Sequence, residues 1–195
     1  MRPTAVTPVK VALIPSLQMG GVVKLVAIDF ETADYGADSA CALGIVSIEN
    51  GKVKKKGYRL IRPPRSRFVF SSIHGISWDD VKNEPTFLDV WDHFRDLWKE
   101  ADYFIAHNAW FDKKVLASCC AAANRKPPAR PFICTVRVAR SHWNFRPANL
   151  PSVCRKLGIK LNHHNAASDA SACASIIIRA IKEGFSLPAG VVGAR

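Results

Sequence analysis

Two acids stand where acids are costly. The segment Leu25-Val26-Ala27-Ile28-Asp29-Phe30-Glu31 is otherwise apolar. Residues two apart in a strand share a face, so Asp29 and Glu31 point the same way. Two like charges at the end of a buried strand repel each other and resist desolvation. A bound cation would relieve both penalties. The alternative is a solvated strand end carrying ordinary surface acids. Asp112 lies in the first turn of a helical pattern, where an acid suits the helix dipole. Yet it falls in line with Val115, Leu116 and Cys119, the stripe that should pack inward. Asp169 repeats the pattern ahead of Cys173, Ile176, Ile177 and Ala180. No Arg or Lys lies on either stripe, and buried acids need partners. One shared metal cluster accounts for all four. Carboxylate oxygens without a His or Cys set favour magnesium or manganese. His163 and His164 precede Asp169 in a polar loop; beside a metal cluster, such a histidine is a candidate general base near neutral pH.

These groups must be positioned by regular elements. Val22 to Phe30 reads as a strand buried on both faces. Ala40 to Ile48 is a second strand, Asn50-Gly51 a hairpin turn, and a third strand begins near Lys52. Ser77 and Asp80 have the spacing of a capping box opening a short helix. Thr86 caps a helix predicted to run to Lys99, with Phe87, Val90, Trp91, Phe94, Leu97 and Trp98 as its stripe. A fourth strand (103–106), a helix (109–123), a short fifth strand (132–134) and helices near 135–143, 150–157 and 168–183 follow. The order implies an α/β fold: a mixed five-stranded sheet flanked by helices. Residues 1–21, with Pro3, Pro8 and Pro15, read as a flexible tail, and Met19 is a candidate translation start. The expected domain is 22–184, with 185–195 a short C-terminal tail.

Lys and Arg number 28 against 16 acids, a net charge of +12. Such a surface attracts polyanions, whether nucleic acid, acidic lipid or acidic protein. Lys52, Lys54, Lys55, Lys56, Arg59, Arg62, Arg65 and Arg67 fall in one stretch without an acid. Either they form a phosphate-binding ribbon, with Lys54, Lys55 and Lys56 as candidate substrate-binding residues, or the lysines guard a sheet edge against aggregation. No apolar run is long enough to cross a bilayer. The six cysteines form no CxxC pair, which argues against zinc and for a reduced, cytoplasmic protein.

At the four acids the sequence resembles the DEDDh 3′–5′ exonucleases, the group that holds the polymerase III epsilon subunit, ribonuclease T and exonuclease X. Its motifs stand here as Asp29-Phe30-Glu31-Thr32, Ile73-His74-Gly75-Ile76-Ser77, Ala106-His107-Asn108-Ala109-Trp110-Phe111-Asp112 with Leu116, and His164-Asn165-Ala166-Ala167-Ser168-Asp169. The family's tyrosine branch has Tyr four residues before the last Asp; here that residue is Asn165. The histidine branch has His five before, which is His164. One departure is Ala33, where Gly is commoner; it is expected to alter slightly how the 3′ nucleotide is seated.

The resemblance implies an RNase H-like fold and two-metal hydrolysis of single-stranded nucleic acid or 3′ overhangs, with DNA favoured over RNA. Asp29 would bridge two Mg2+ or Mn2+ ions. Glu31 and Asp169 would hold the ion carrying the attacking water, Asp112 would help hold the other, and His164 would take the proton. Thr32, His74 and Asn108 are expected near the terminal nucleotide. The epsilon subunit's clamp-binding segment is expected to be absent. A homodimer and an association with a polymerase both stay open. Two rival readings remain: a catalytically dead binding module, which should have lost a ligand, and a structural partner of a polymerase, which needs a docking segment.

Overall fold

The structure, a computed structural model, describes residues 22–188. The expected tail 1–21 and most of 185–195 lie outside them. A meander opens the domain: β1 (Lys24–Thr32), β2 (Ala40–Glu49) and β3 (Lys52–Leu60). Asn50 and Gly51 turn the β2–β3 hairpin with φ of 50° and 70°, the left-handed pair that matches strand twist. The chain then forms α1 (Ser71–His74), α2 (Trp78–Val81), α3 (Phe87–His93) and α4 (Arg95–Trp98). After these come β4 (Tyr103–Ala106), α5 (Trp110–Ala122), β5 (Phe132–Cys134), α6 (Thr135–His142), α7 (Leu150–Leu157) and α8 (Ala166–Lys182). The sheet order is β3-β2-β1-β4-β5, with β4 and β5 parallel to β1 and the meander antiparallel. The mixed five-stranded sheet flanked by helices is the one the sequence implies.

The strand alternation divides the core. Leu25 and Ala27 join Cys173, Ile176 and Ile177 of α8 and the apolar faces of α6 and α7. Val26, Ile28 and Phe30 pack with Phe87, Trp91, Val115 and Leu116 on the other side. By the same parity, Asp29 and Glu31 face α8. Strand β1 starts two residues later than expected and runs two further, so both acids lie inside the ladder, Asp29 opposite Gly44 and Glu31 opposite Ala42.

Glycine settles how closely α8 can approach. A Cβ at Gly44 would lie 1.9 Å from the carbonyl oxygen of Ala166 and 2.8 Å from the nitrogen of Ala167. The first turn of α8 therefore rests directly on the backbone of β2, beside the strand that carries Asp29. Isolated glycine inside a strand is the sequence sign of such an approach.

The helix expected over Thr86–Lys99 is broken. Its stripe is buried at Phe87, Val90, Trp91 and Phe94 and half-buried at Leu97 and Trp98, but Phe94 leaves helical geometry (φ −91°, ψ 10°) and divides it into α3 and α4. Phe94 turns into the sheet over Gly57, where a Cβ would meet its ring at 2.3 Å. The Trp98 indole donates to the Trp91 carbonyl at 2.9 Å across the break. At the C-terminal end, contact continues past the expected boundary at Gly184. Phe185 and Leu187 pack on the α8 side of the core, and the Tyr103 hydroxyl donates to the Pro188 carbonyl at 2.5 Å.

Gly44→Ala is expected to lower stability by roughly 3 kcal/mol, at the upper end for overpacking, because neither neighbour is a movable side chain. Gly57→Ala should lose less, since Phe94 can swing. Urea denaturation of both variants checks the order; an equal or smaller loss at Gly44 would refute the backbone contact.

Candidate active site

Three elements bring the four carboxylates together at one end of the sheet. Asp29 and Glu31 come from β1, Asp112 from the first turn of α5 and Asp169 from the first turn of α8. Asp112 is 1% exposed and Asp169 4%. The Phe30 backbone N–H donates to Asp112 Oδ1 at 3.1 Å, which ties the α5 acid to the strand between the other two. Asp169 Oδ2 accepts from the His164 backbone N–H at 3.2 Å and lies 2.8 Å from His163 Nδ1. Its other oxygen, Oδ1, is buried with no hydrogen-bond partner among the described residues. Asn165 caps α8, its side chain accepting the Ser168 N–H at 3.0 Å, so the residue that separates the two family branches serves here as a helix cap.

The electrostatics are those of a site lacking positive charge. Burial, then the charges of Asp112, Asp169 and Glu31, hold the Asp29 carboxyl well above its ordinary range. Burial and then Asp169 push Glu31 up to about 7. Burial leads in raising Asp112 to about 8 and in raising Asp169, although His163 acts against the latter shift. Among the described residues no three His, Cys, Asp or Glu side chains are already closed into a coordination set. The residues nonetheless fit a hard divalent cation. All four donors are carboxylates with raised proton affinities, and Asp169 keeps a buried oxygen with no hydrogen-bond partner among the described residues.

An open pocket of about 290 Å³ lies over this cluster, lined by Asp29, Glu31, Thr32, His74, His163, His164 and Asp169 on its polar side and by Phe70, Ile73 and Phe111 on its apolar side. His74 is held firmly. Its Nδ1 accepts the Ile76 N–H at 3.0 Å, which leaves Nε2 protonated to donate to the Thr32 carbonyl at 3.1 Å. Burial, then the nearby His164, keep its pKa below the usual histidine value. His163 and His164 stack with ring centroids 3.8 Å apart. His164 takes φ of 64°, a strained backbone for a residue other than glycine; burial lowers its pKa.

Not every expected residue is drawn in. Asn108 sits exposed on the turn before α5 with φ of 62°, outside the pocket lining. Lys54, Lys55 and Lys56 lie on β3, the sheet edge. Lys55 is level with Ser47 and Val26, three residues back along β1 from Asp29. Lys54 is 3.6 Å from Glu49, and the cleft beside Lys54 and Lys55 contains Asp96 and Glu100. Arg65, counted with the basic stretch, makes paired hydrogen bonds to Asp34 (2.7 and 2.9 Å) and to Asp38 (2.7 and 2.9 Å). Those bonds hold Asp34 down at about 2. Arg65 thereby fastens the loop after β1 to the segment that leads to Phe70 and α1. Ala33 is fully buried with Cys41, Ala42 and Ala166, so its methyl fills the floor beneath the site. Sequence reading assigned no site role to the apolar wall of Phe70, Ile73 and Phe111, although Ile73 and Phe111 stand inside two of the quoted motifs.

Fold and site together define a hydrolytic nuclease of the RNase H-like class. Residues 26–177 match the RNase T family of exonucleases, and the chain belongs to that family as a DEDDh-type 3′–5′ exonuclease. A PolC-type DNA polymerase III of Thermotoga petrophila is 32% identical over 161 residues, covering 80% of this chain and 12% of that protein. The chain thus spans about an eighth of its PolC-type relatives. The polymerase III epsilon subunit of Buchnera aphidicola is 26% identical over 168 residues, covering 78% of this chain and 72% of the subunit. Exonuclease X in complex with 5′-overhanging duplex DNA superposes with a TM-score of 0.68 at 25% identity, covering 82% of this chain and 92% of that one. The nuclease domain of the DEDDh protein 3′hExo, bound to rAMP, shares the fold with a TM-score of 0.73 at 19% identity, over 87% and 96% of the two chains.

The raised carboxylates set a stability prediction. An acid whose pKa is higher folded than unfolded makes the native state bind more protons, so stability falls as pH rises toward the folded value. For Asp112 that window runs from the ordinary 3.8 to about 8. In metal-free protein at pH 8, Asp112→Asn should therefore melt on the order of 5 °C above wild type, and the gap should close toward pH 4. Saturating Mn2+ should stabilise wild type more than the variant. Thermal melts across pH check this; a variant that melts below wild type at pH 8 without metal would refute the unpaired-charge account.

Proposed function

We propose that this chain removes nucleoside 5′-monophosphates one at a time from the 3′ end of single-stranded DNA or a 3′ overhang, using two divalent ions, Mg2+ or Mn2+. The observation that carries the proposal is the convergence of Asp29, Glu31, Asp112 and Asp169, with no Lys or Arg paired to them among the described residues, beneath an open pocket. Asp29, Glu31 and Asp169 would hold the ions, and Asp112, behind the strand, would complete the set. Bound there, such ions supply Lewis-acid stabilisation of the attacking and leaving oxygens. His164 accepts the proton of the attacking water. His163, bonded to Asp169, helps place that carboxylate. Thr32 and His74 shape the wall beside the terminal sugar, and Phe70, Ile73 and Phe111 receive its base.

DNA is favoured by the polymerase III relatives and by the DNA complex of exonuclease X. Escherichia coli exonuclease I, which has a similar fold at a TM-score of 0.70 and 15% identity, is seen with single-stranded DNA, in keeping with a single strand as the substrate proposed here. The rAMP complex of 3′hExo makes RNA the competing substrate. The polymerase III relatives also support association with a polymerase. Incubation with end-labelled single-stranded DNA, duplex DNA and RNA of one sequence, with magnesium, tests the reading. Stepwise shortening from the 3′ end, fastest on the DNA strand, is expected; no shortening of any strand would overturn it.

Asp29→Ala and Asp169→Ala should abolish hydrolysis in folded protein. His164→Ala should lower turnover on the order of 10² to 10⁴-fold, while metal binding by calorimetry survives. His163→Ala should lose far less; the reverse ranking would move the base to His163.

The location of Lys54, Lys55 and Lys56 allows them to act on substrate by long-range attraction. Replacing all three by Gln should flatten the fall of binding with rising salt and raise KM, with little change in kcat. If the lysines only guard the edge strand, the salt slope stays as it was and the variant aggregates, which light scattering would show.

A further inference from the structure

The exposed apolar surface of this domain is concentrated. Among the described residues seven large hydrophobic side chains are exposed; two of them line the carboxylate pocket, and two more, Tyr35 and Trp110, touch or adjoin in sequence a residue that does. Ile73 and Phe111 line it. Tyr35 packs edge-on against Phe70, another lining residue, with ring centroids 5.0 Å apart. Trp110 adjoins Phe111 at the start of α5 and is 69% exposed. A tryptophan left this open gains little from burial. Its ring is not bare of charge: the Lys114 ammonium, one turn along α5, lies 5.2 Å from the ring centroid. Lys113 is exposed beside it, and neither lysine pairs with an acid among the described residues.

We propose that Trp110 and Lys114 form a shelf outside the catalytic pocket on which a base 5′ of the scissile phosphate stacks, with the adjoining phosphate drawn to Lys114. This deepens the exonuclease reading and rests on it. Phe111 borders the pocket that takes the terminal nucleotide, so the neighbouring ring on the same helical turn is the first aromatic surface a strand meets on leaving that side. A π-face without hydrogen-bonding demands accepts any base, and the cation answers the phosphate charge; that combination suits single-stranded nucleic acid bound without sequence preference. Tyr35 stands on the loop after β1, with Phe70, and offers the rival exit.

The shelf acts only on substrates long enough to reach it. Two substrates separate it from the catalytic pocket: a thymidine decanucleotide, and the p-nitrophenyl ester of thymidine 5′-monophosphate, which has no nucleotide 5′ of the bond that breaks. Trp110→Ala should raise the decanucleotide KM roughly ten-fold relative to the ester KM, the scale of one lost stacking contact. Trp110→Tyr should restore most of the ratio, and Lys114→Gln should raise the decanucleotide KM by a smaller factor, less so as salt increases. In chelator, oligothymidylate should quench tryptophan fluorescence in wild type, and the quench should shrink in Trp110→Ala. A wild-type KM ratio in Trp110→Ala, or a ratio lost instead in Tyr35→Ala, would overturn the shelf while leaving the exonuclease reading intact. Wild-type protein that hydrolyses neither substrate would overturn the exonuclease reading itself.

Discussion

The site depends on how closely one helix can lie on one strand. Helix α8 rests on β2 through the bare Cα of Gly44, with the Ala166 carbonyl where a side chain would otherwise stand. Gly44 is the register partner of Asp29, and Asp169 sits one turn into the helix that this contact seats. A larger residue at position 44 would push the start of α8 away from the sheet, and with it the carboxylate that must face β1. The apolar stripe of α8, through Cys173, Ile176 and Ile177, holds the rest of the helix down. The closeness at its first turn comes from the missing Cβ.

That closeness has an electrostatic consequence. The packing forces acids from both sides of the sheet into mutual range, where burial first and then the charges of Asp169, Glu31 and Asp112 raise the proton affinity of their neighbours. Such a cluster relaxes by taking up protons or by taking up cations, and the two compete. Metal affinity should accordingly rise through the neutral range as Glu31 and Asp112 lose their protons. Asp112 differs from the others because it is anchored to the Phe30 N–H. Its place is set by the backbone, and it keeps that place whether or not it is charged.

Around the acids the chain builds two kinds of wall. On one side the Arg65 clamp joins Asp34 and Asp38, so the loop after β1 is tied to the approach to α1, which leads to Phe70, Ile73 and His74. On the other side α5 presents Phe111 and Trp110 from the same turn that buries Asp112. A single helix thus places an acid under the site and the Phe111 ring on its wall, because successive helical residues point about 100° apart.

Much of this was legible in the chain. Strand alternation placed Asp29 and Glu31 on one face, and the helical stripes of Val115, Leu116 and Cys119 and of Cys173, Ile176 and Ile177 showed that Asp112 and Asp169 turn inward. Periodicity is a local property, and these contacts follow from it. The break at Phe94 was hidden because the stripe continues across it; the ring's seat over Gly57 is a contact between distant segments. The fate of the basic stretch was hidden for the same reason. Arg65 and the three lysines look alike in sequence, yet Arg65 is spent on two acids of a neighbouring loop, while Lys54, Lys55 and Lys56 stand on the edge strand away from the carboxylates. Local spacing determines which face a side chain takes. Only the packing of remote segments decides what it meets there.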